Sequence, residues 1–282
     1  MLAAWVSLAK PRITVLLVFV ALASAVVAGG GRIFPDRVIL LVVIGALACA
    51  GSALLNNYFD QDIDAVMERT QSRPLPVGKV DAIAVYIVGL ALLGLSLAMS
   101  LRLSYLVALF VGSGALVYVV VYTLWLKRHS PLNIVIGGAA GSCAALAGWF
   151  SVSSQWSLAP LLIALLLFLW TPAHFWSFAL VHRESYRKAN ISMLPVVVGE
   201  KETAVYIMVS GGFLMLISLL LYLTGPLKEI YLAGAVSLAG LFLFSSVQLW
   251  RQTRRERAWS NYKLSGVYLF GLFMAILLDV LV

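Results

Sequence analysis

Residues 38–57 read VILLVVIGALACAGSALLNN, and the next seven, 58–64, read YFDQDID. An uncharged apolar run of this length is enough for a helix to cross the hydrocarbon core of a bilayer, which takes about 20 residues. The run shows no period-two alternation and is rich in Leu and Ala, so a barrel strand is a poor competitor. Eight further segments repeat the pattern, at 13–29, 83–101, 104–125, 133–150, 157–180, 204–224, 230–250 and 264–282. Together they predict an all-α, polytopic membrane protein of about nine transmembrane helices. Nothing outside these spans is long enough for a separate soluble domain, so residues 1–282 read as a single domain.

Composition agrees. The chain is 62% hydrophobic and only 11% charged, against roughly a quarter charged in soluble proteins. That excludes disorder, a collagen-like repeat and a disulfide-rich secreted module. A net charge of +8 suggests a polyanionic partner, but the charges lie in short segments between apolar runs, which argues against nucleic acid. With the N-terminus inside, the inner segments hold sixteen basic residues (Lys10, Arg12, Arg69, Arg73, Lys79, Lys127, Arg128, Arg183, Arg187, Lys188, Lys201, Arg251, Arg254, Arg255, Arg257 and Lys263). The outer ones hold only Arg32, Arg37, Arg102 and Lys228. The positive-inside rule therefore places the N-terminus in the cytoplasm and the C-terminus outside. Ala25 to Gly29 resembles a signal-peptide cleavage region, but eight later spans already target the chain to the membrane. Cys49 and Cys143 lie in apolar spans without paired spacing and carry no redox or metal signal.

The seven residues after the second span carry the chemistry. Asn56, Asp60 and Asp64 are spaced four and four, so on a helix they share one face. Carboxylates beside an apolar helix are costly, ~2.5–3.5 kcal/mol each at mid-bilayer. Asp60 and Asp64, ~6 Å apart at an effective dielectric of ~20, would repel by about 3 kcal/mol. A divalent cation relieves this, and all-oxygen ligands favour Mg²⁺ shared with substrate phosphates. The plain alternative is a solvated helix end. Arg69, Arg73 and Lys79 follow immediately, and acidic residues followed by basic ones suit a metal–diphosphate. A second inner loop carries Arg183, Glu184, Arg187 and Lys188. Its Leu194-Pro195-Val196 echoes Leu75-Pro76-Val77, which opens the possibility of a distant internal duplication with two loops facing one cavity.

These residues resemble the UbiA-type intramembrane prenyltransferase superfamily, and within it the haem branch, the protohaem IX farnesyltransferases or haem O synthases. The carrying motifs are Asn56, Asp60 and Asp64, Asp62 to Thr70 with Arg73-Pro74-Leu75-Pro76, and Tyr122-Thr123 with Lys127-Arg128. Asn133 to Gly138, Trp170-Thr171-Pro172 with His174-Phe175-Trp176, and Tyr186 with Met193 to Val196 complete the set. They run in the family's order from Lys10 to about Glu200; the last three spans match only as apolar spans. Several positions depart from the pattern. Ala144-Ala145 stands where a proline pair is usual, Ala173 replaces a second proline, and Asn190 replaces a frequent Gly. Ser185 precedes Tyr186 where Asp is usual, leaving Glu184 as that segment's only carboxylate and a second Mg²⁺ less secure.

The resemblance implies helices around a central cavity open near the cytoplasmic face of the cell membrane. It also implies farnesyl transfer from farnesyl diphosphate to a vinyl group of haem b with addition of water, giving haem O. Asn56, Asp60, Asp64 and Lys127 would then be catalytic, and Asn56, Asp60, Asp64 and Glu184 would hold Mg²⁺. Arg69, Arg73, Lys127, Arg128 and Arg12 would bind diphosphate. Tyr58, Tyr122, Trp170, Phe175, Tyr186 and His174 would line the haem or prenyl pocket. His174 reads either as a helix-packing histidine or as a haem-positioning group. Gly137, Gly138 and Gly141 read as close helix packing rather than a phosphate loop, and Arg251 to Arg257 as contact with anionic lipid headgroups. The partners implied are the bilayer, the two substrates and a haem A synthase. A sister enzyme acting on an aromatic quinone precursor or a lipid acceptor is the nearest rival. A secondary transporter would want carboxylates near mid-membrane, and every Asp except Asp279 lies near a span end or in a loop.

Overall fold

The computed structural model describes residues 1–282 and contains no strand. Nine helices are long and apolar enough to cross a membrane: Pro11–Ala28 (α1), Pro35–Phe59 (α2), Ala82–Ser100 (α3), Tyr105–His129 (α4), Asn133–Phe150 (α5), Leu158–Val181 (α6), Glu200–Thr224 (α7), Glu229–Arg251 (α8) and Arg255–Leu281 (α9). Their starts follow local chemistry. Pro11 and Pro35 occupy first positions, where a missing N–H costs nothing. Asp81 and Ser104 accept the amides of Ala84 and Val107 as N-caps.

The largest departure from the expected boundaries is α9, which begins at Arg255 rather than near residue 264. Arg255, Glu256 and Arg257 are exposed on its first turn while Ala258 and Asn261 are buried. Helical hydrogen bonding carries on past the edge of the apolar run, and hydropathy alone misses the amphipathic turns.

Each helix packs on the next in sequence, and α9 packs on α1, closing a ring. Within it α5 touches α1, and α6 touches α9. The closest approach is at Gly148 of α5, where a Cβ would lie 2.0 Å from the carbonyl oxygen of Ala21 on α1. Buried polar side chains tie the second half together: Asn261 donates to Ser177 at 3.0 Å and accepts from Ser246 at 3.3 Å, joining α9, α6 and α8.

Asp279, the carboxylate that sequence alone left within a span, is buried near the end of α9. It accepts the backbone amides of Lys228 at 2.6 Å and Tyr231 at 3.0 Å, so it caps the start of α8. Both of its oxygens are committed to backbone, which removes it as an ion-coupling group.

Gly148→Ala is expected to lower detergent-solubilised stability by roughly 1–3 kcal/mol through overpacking. Gly240→Ala, on α8 where an added Cβ meets nothing, should leave the melting temperature unchanged or raised. Thermal unfolding of the two variants beside the parent protein checks this.

Candidate active site

The helix α2 ends because Asp60 leaves helical geometry, and the short helix Gln61–Val66 resumes at once. The change of direction keeps Asn56, Asp60 and Asp64 together and buried, each 2–3% exposed. Asn56 donates to Asp60 Oδ2 at 2.8 Å and to Thr123 Oγ1 at 2.9 Å. Three cations close on the row from three different segments. Lys127 Nζ lies 2.6 Å from Asp60 Oδ2, and an Arg73 guanidinium nitrogen 2.6 Å from Asp64 Oδ2. Lys10 Nζ donates to Asn56 Oδ1 at 2.5 Å and to Tyr118 Oη at 3.2 Å. Two carboxylates among three cations leave the cluster net positive, a suitable receptor for a polyanion.

Lys10 is one of only two non-glycine residues at positive φ, at 51°. A left-handed backbone at such a residue costs on the order of 1 kcal/mol and marks a functional constraint. Burial, and then the nearby Arg73 charge, lower its ammonium to about 8. One oxygen of the row stays unmatched: Asp60 Oδ1 is buried without a hydrogen-bond partner. A desolvated anionic oxygen with no donor fits a hard cation.

Opposite α2, α4 carries a π-helical segment, Val117–Leu126. In an α-helix, Tyr118 and Thr123 would point about 140° apart, at 100° per residue. Here the wider turn brings them into register, with Thr123 Oγ1 donating to the Tyr118 carbonyl at 2.8 Å. Such segments recur at functional sites. The Tyr122 ring stacks on Tyr118 with centroids 5.8 Å apart. It lies where a Cβ on Gly137 would come within 2.9 Å, so Gly137 makes room for an aromatic ring, a packing role.

From Lys10 and Tyr118 an apolar cavity runs between α1, α2, α4 and α5, and 17 of its 22 lining residues are hydrophobic, among them Leu17, Ile44 and Phe110. A charged head group at the Asp60 row and an apolar tail in the cavity would be bound end to end.

Asn56, Asp60, Asp64, Arg73 and Lys127 thus meet as the sequence predicts. Other expected members do not join them. Arg128 is engaged by the exposed Asp62 through two bonds of 2.7 Å, which hold the Asp62 carboxyl below its usual range. Arg12 is exposed, and its neighbour Lys10 enters the site instead. Glu184 pairs with Arg187 one turn along at 3.2 Å and lines a separate polar pocket, apart from the Asp60 row. Arg69 lines the same polar pocket and lies beside Tyr186, whose buried hydroxyl is pushed up to about 12.

None of the six residues expected to line the pocket borders the apolar cavity. Tyr58, two residues on from Asn56, points away and packs on Tyr86 of α3 at 4.9 Å. Trp170 and His174 face α9: His174 Nδ1 lies 2.6 Å from Ser265 Oγ, and Trp170 donates to the Ser265 carbonyl at 2.7 Å. Phe175 lies 5.9 Å from Phe178 on the same helix. Sequence reasoning missed Lys10, Tyr118 and Thr123. Lys10 carried a signal, a lone cation directly before a helix-starting proline.

The UbiA prenyltransferase family model matches residues 16–277. A protoheme IX farnesyltransferase of Symbiobacterium thermophilum is 41% identical over 98% of this chain and 93% of its own length. Among solved structures, one concerning digeranylgeranylglyceryl phosphate synthase superposes with a TM-score of 0.84 at 19% identity, covering 99% of this chain and 98% of that one. A UbiA homologue from Archaeoglobus fulgidus bound to GPP and Mg²⁺ superposes with a TM-score of 0.70 at 19% identity, covering 97% and 99%. Continuous similarity across the nine helices, together with a buried Asn–Asp–Asp row at the head of an apolar cavity, makes this chain a member of the UbiA prenyltransferase family and a multi-pass membrane transferase.

Proposed function

We propose that the chain works as one prenyltransferase domain that moves a farnesyl group from farnesyl diphosphate to a vinyl carbon of haem b. The observation that carries this reading is the unpartnered, buried Oδ1 of Asp60 within a row of oxygen ligands that Lys10 joins to an apolar cavity. The haem acceptor is supported by relatives at about 40% identity over nearly the whole chain that are named for it.

Asn56, Asp60 and Asp64 would hold Mg²⁺, which supplies Lewis-acid neutralisation of diphosphate charge when bound. The chain's own residues do the rest. Lys127, Arg73 and Lys10 give their charge to the departing diphosphate as the C1–O bond breaks and its electron pair leaves with oxygen. In this state the same cations are satisfied by Asp60, Asp64 and Asn56, so the site is held closed without collapsing. The apolar cavity keeps water from the allylic cation, and the face of Tyr118, which lines it, stabilises the cation. The vinyl π electrons of the acceptor form the new C–C bond. The cation left at the neighbouring carbon takes water and releases a proton, giving the hydroxyethylfarnesyl group of haem O. A haem A synthase is the partner that would consume this product. Sixteen basic residues on the site's side support a cytoplasmic location of that face and of the N-terminus, in the plasma membrane.

Purified protein with Mg²⁺, farnesyl diphosphate and haem b should yield haem O by mass spectrometry, and EDTA should stop the reaction. Product only from a phenolic acceptor, never from haem, would overturn the acceptor. Asp60→Asn and Asp64→Asn should abolish turnover with membrane insertion intact. Lys127→Met should cost at least about 10²-fold in kcat. Near-normal turnover in both aspartate variants would remove the metal–diphosphate assignment.

A further inference from the structure

A second, polar pocket opens where the loops after α2, α6 and α8 meet. Four arginines line it, Arg69, Arg183, Arg254 and Arg255, with three glutamates. Two of those glutamates are already engaged: Glu200 by Arg183 at 3.1 Å, and Glu184 by Arg187 at 3.2 Å. Arg69, Arg254 and Arg255 form no ion pair, so three free guanidinium groups stand against Glu68 alone. The excess is two positive charges. The pocket has further unmet donors: Arg183 Nε is buried without a partner, and Arg254, the N-cap of α9, gives no side-chain cap to the helix's first amides. Arg254 and Arg255 belong to the basic run that sequence alone assigns to lipid headgroups; the fold turns both into this pocket.

An aromatic ladder leads to the pocket from the middle of α6. Trp170, His174, Phe178 and His182 follow at four-residue steps along one helix face. Trp170 and His174 stack with centroids 4.3 Å apart, and Phe178 and His182 lie 4.4 Å apart. Tyr262 of α9 bridges the middle, 4.5 Å from His174 and 5.2 Å from Phe178. Arg69 sits over Phe178 at 5.3 Å, linking ladder and pocket. Thr70, the residue after Arg69, donates its hydroxyl to the Asp64 carbonyl at 3.1 Å, so the pocket adjoins the catalytic row.

An acceptor with an aromatic body and two carboxylates at one edge matches a pocket with two surplus positive charges and His182, the outer end of the ladder, in its wall. We propose that this pocket binds the two propionate carboxylates of haem b through Arg69, Arg254 and Arg255. The assignment rests on the haem reading above. It separates acceptor recognition from the donor site: the arginine pocket takes carboxylates, and the Asp60 row takes diphosphate.

The test uses the full chain in detergent, titrated with haem b and with its dimethyl ester, for the parent protein and for R254Q/R255Q. The parent should bind haem b at least about tenfold more tightly than the diester, the scale of one charge-assisted hydrogen bond. R254Q/R255Q should erase that preference, raise KM for haem b, and leave both diester affinity and KM for farnesyl diphosphate unchanged. Equal affinity of the parent for haem b and its diester would overturn the pocket assignment while leaving farnesyl transfer to haem in place. A rise in KM for farnesyl diphosphate alone would give the pocket to the donor and overturn it too. Parent protein that neither binds nor farnesylates haem b would overturn the underlying acceptor reading together with this assignment.

Discussion

Two carboxylates, Asp60 and Asp64, are held almost out of water at one end of an apolar bundle, and the arrangement of the first five helices answers to that constraint. An unpaired charge there would cost several kcal/mol. Lys10 reaches the row from the start of α1, Lys127 from the end of α4, and Arg73 from the loop after α2. The first two contacts fix the depths of α1 and α4, and the third ties down the loop between α2 and α3. The left-handed backbone at Lys10 and the π-helical stretch of α4 are local costs that put these cations, Tyr118 and Thr123 where the row needs them.

The row also explains why the site can exist before any ligand arrives. Its cations are partnered internally by moderately strong contacts that a more highly charged ligand can outcompete. Asp60 Oδ1 is the exception, and its missing partner is the sign that the resting network is incomplete. The cavity beyond Tyr118 is lined mainly by aliphatic side chains, so affinity for a long apolar tail and reactivity at its charged end are supplied by separate surfaces that meet at Lys10.

Much of this was legible in one dimension. The helical spacing of Asn56, Asp60 and Asp64 and the long apolar runs depend only on local periodicity, and both survive in the structure. Residues whose role depends on a competing partner were not legible. Arg128 has a carboxylate within reach at Asp62 and Glu184 has a cation one turn away at Arg187, and those short contacts decide where they point. Tyr118 and Thr123 were hidden for another reason. A change of helical pitch leaves no trace in residue spacing, so counting by 3.6 aims their side chains in the wrong directions. The start of α9 was misplaced because hydropathy scores Arg255 to Lys263 as loop, although their helix presents charge outward and Ala258 and Asn261 inward.

Asp279 binds the end of α9 to the first amides of α8, and on the same side of the bundle Gly31 lets the turn after α1 approach the Val280 carbonyl, which a Cβ would meet at 2.6 Å. The last hairpin is therefore riveted at the membrane face away from the catalytic row, while its connecting turn, Gln252 to Arg254, lies at the opposite face. At that face too α9 is fastened, by Asn261 to Ser177 at 3.0 Å and by the Ser265 carbonyl to Trp170 at 2.7 Å. A beam fixed at both ends does not swing, so Arg254 and Arg255 are presented from a rigid frame and any adjustment at the pocket falls to their own side chains.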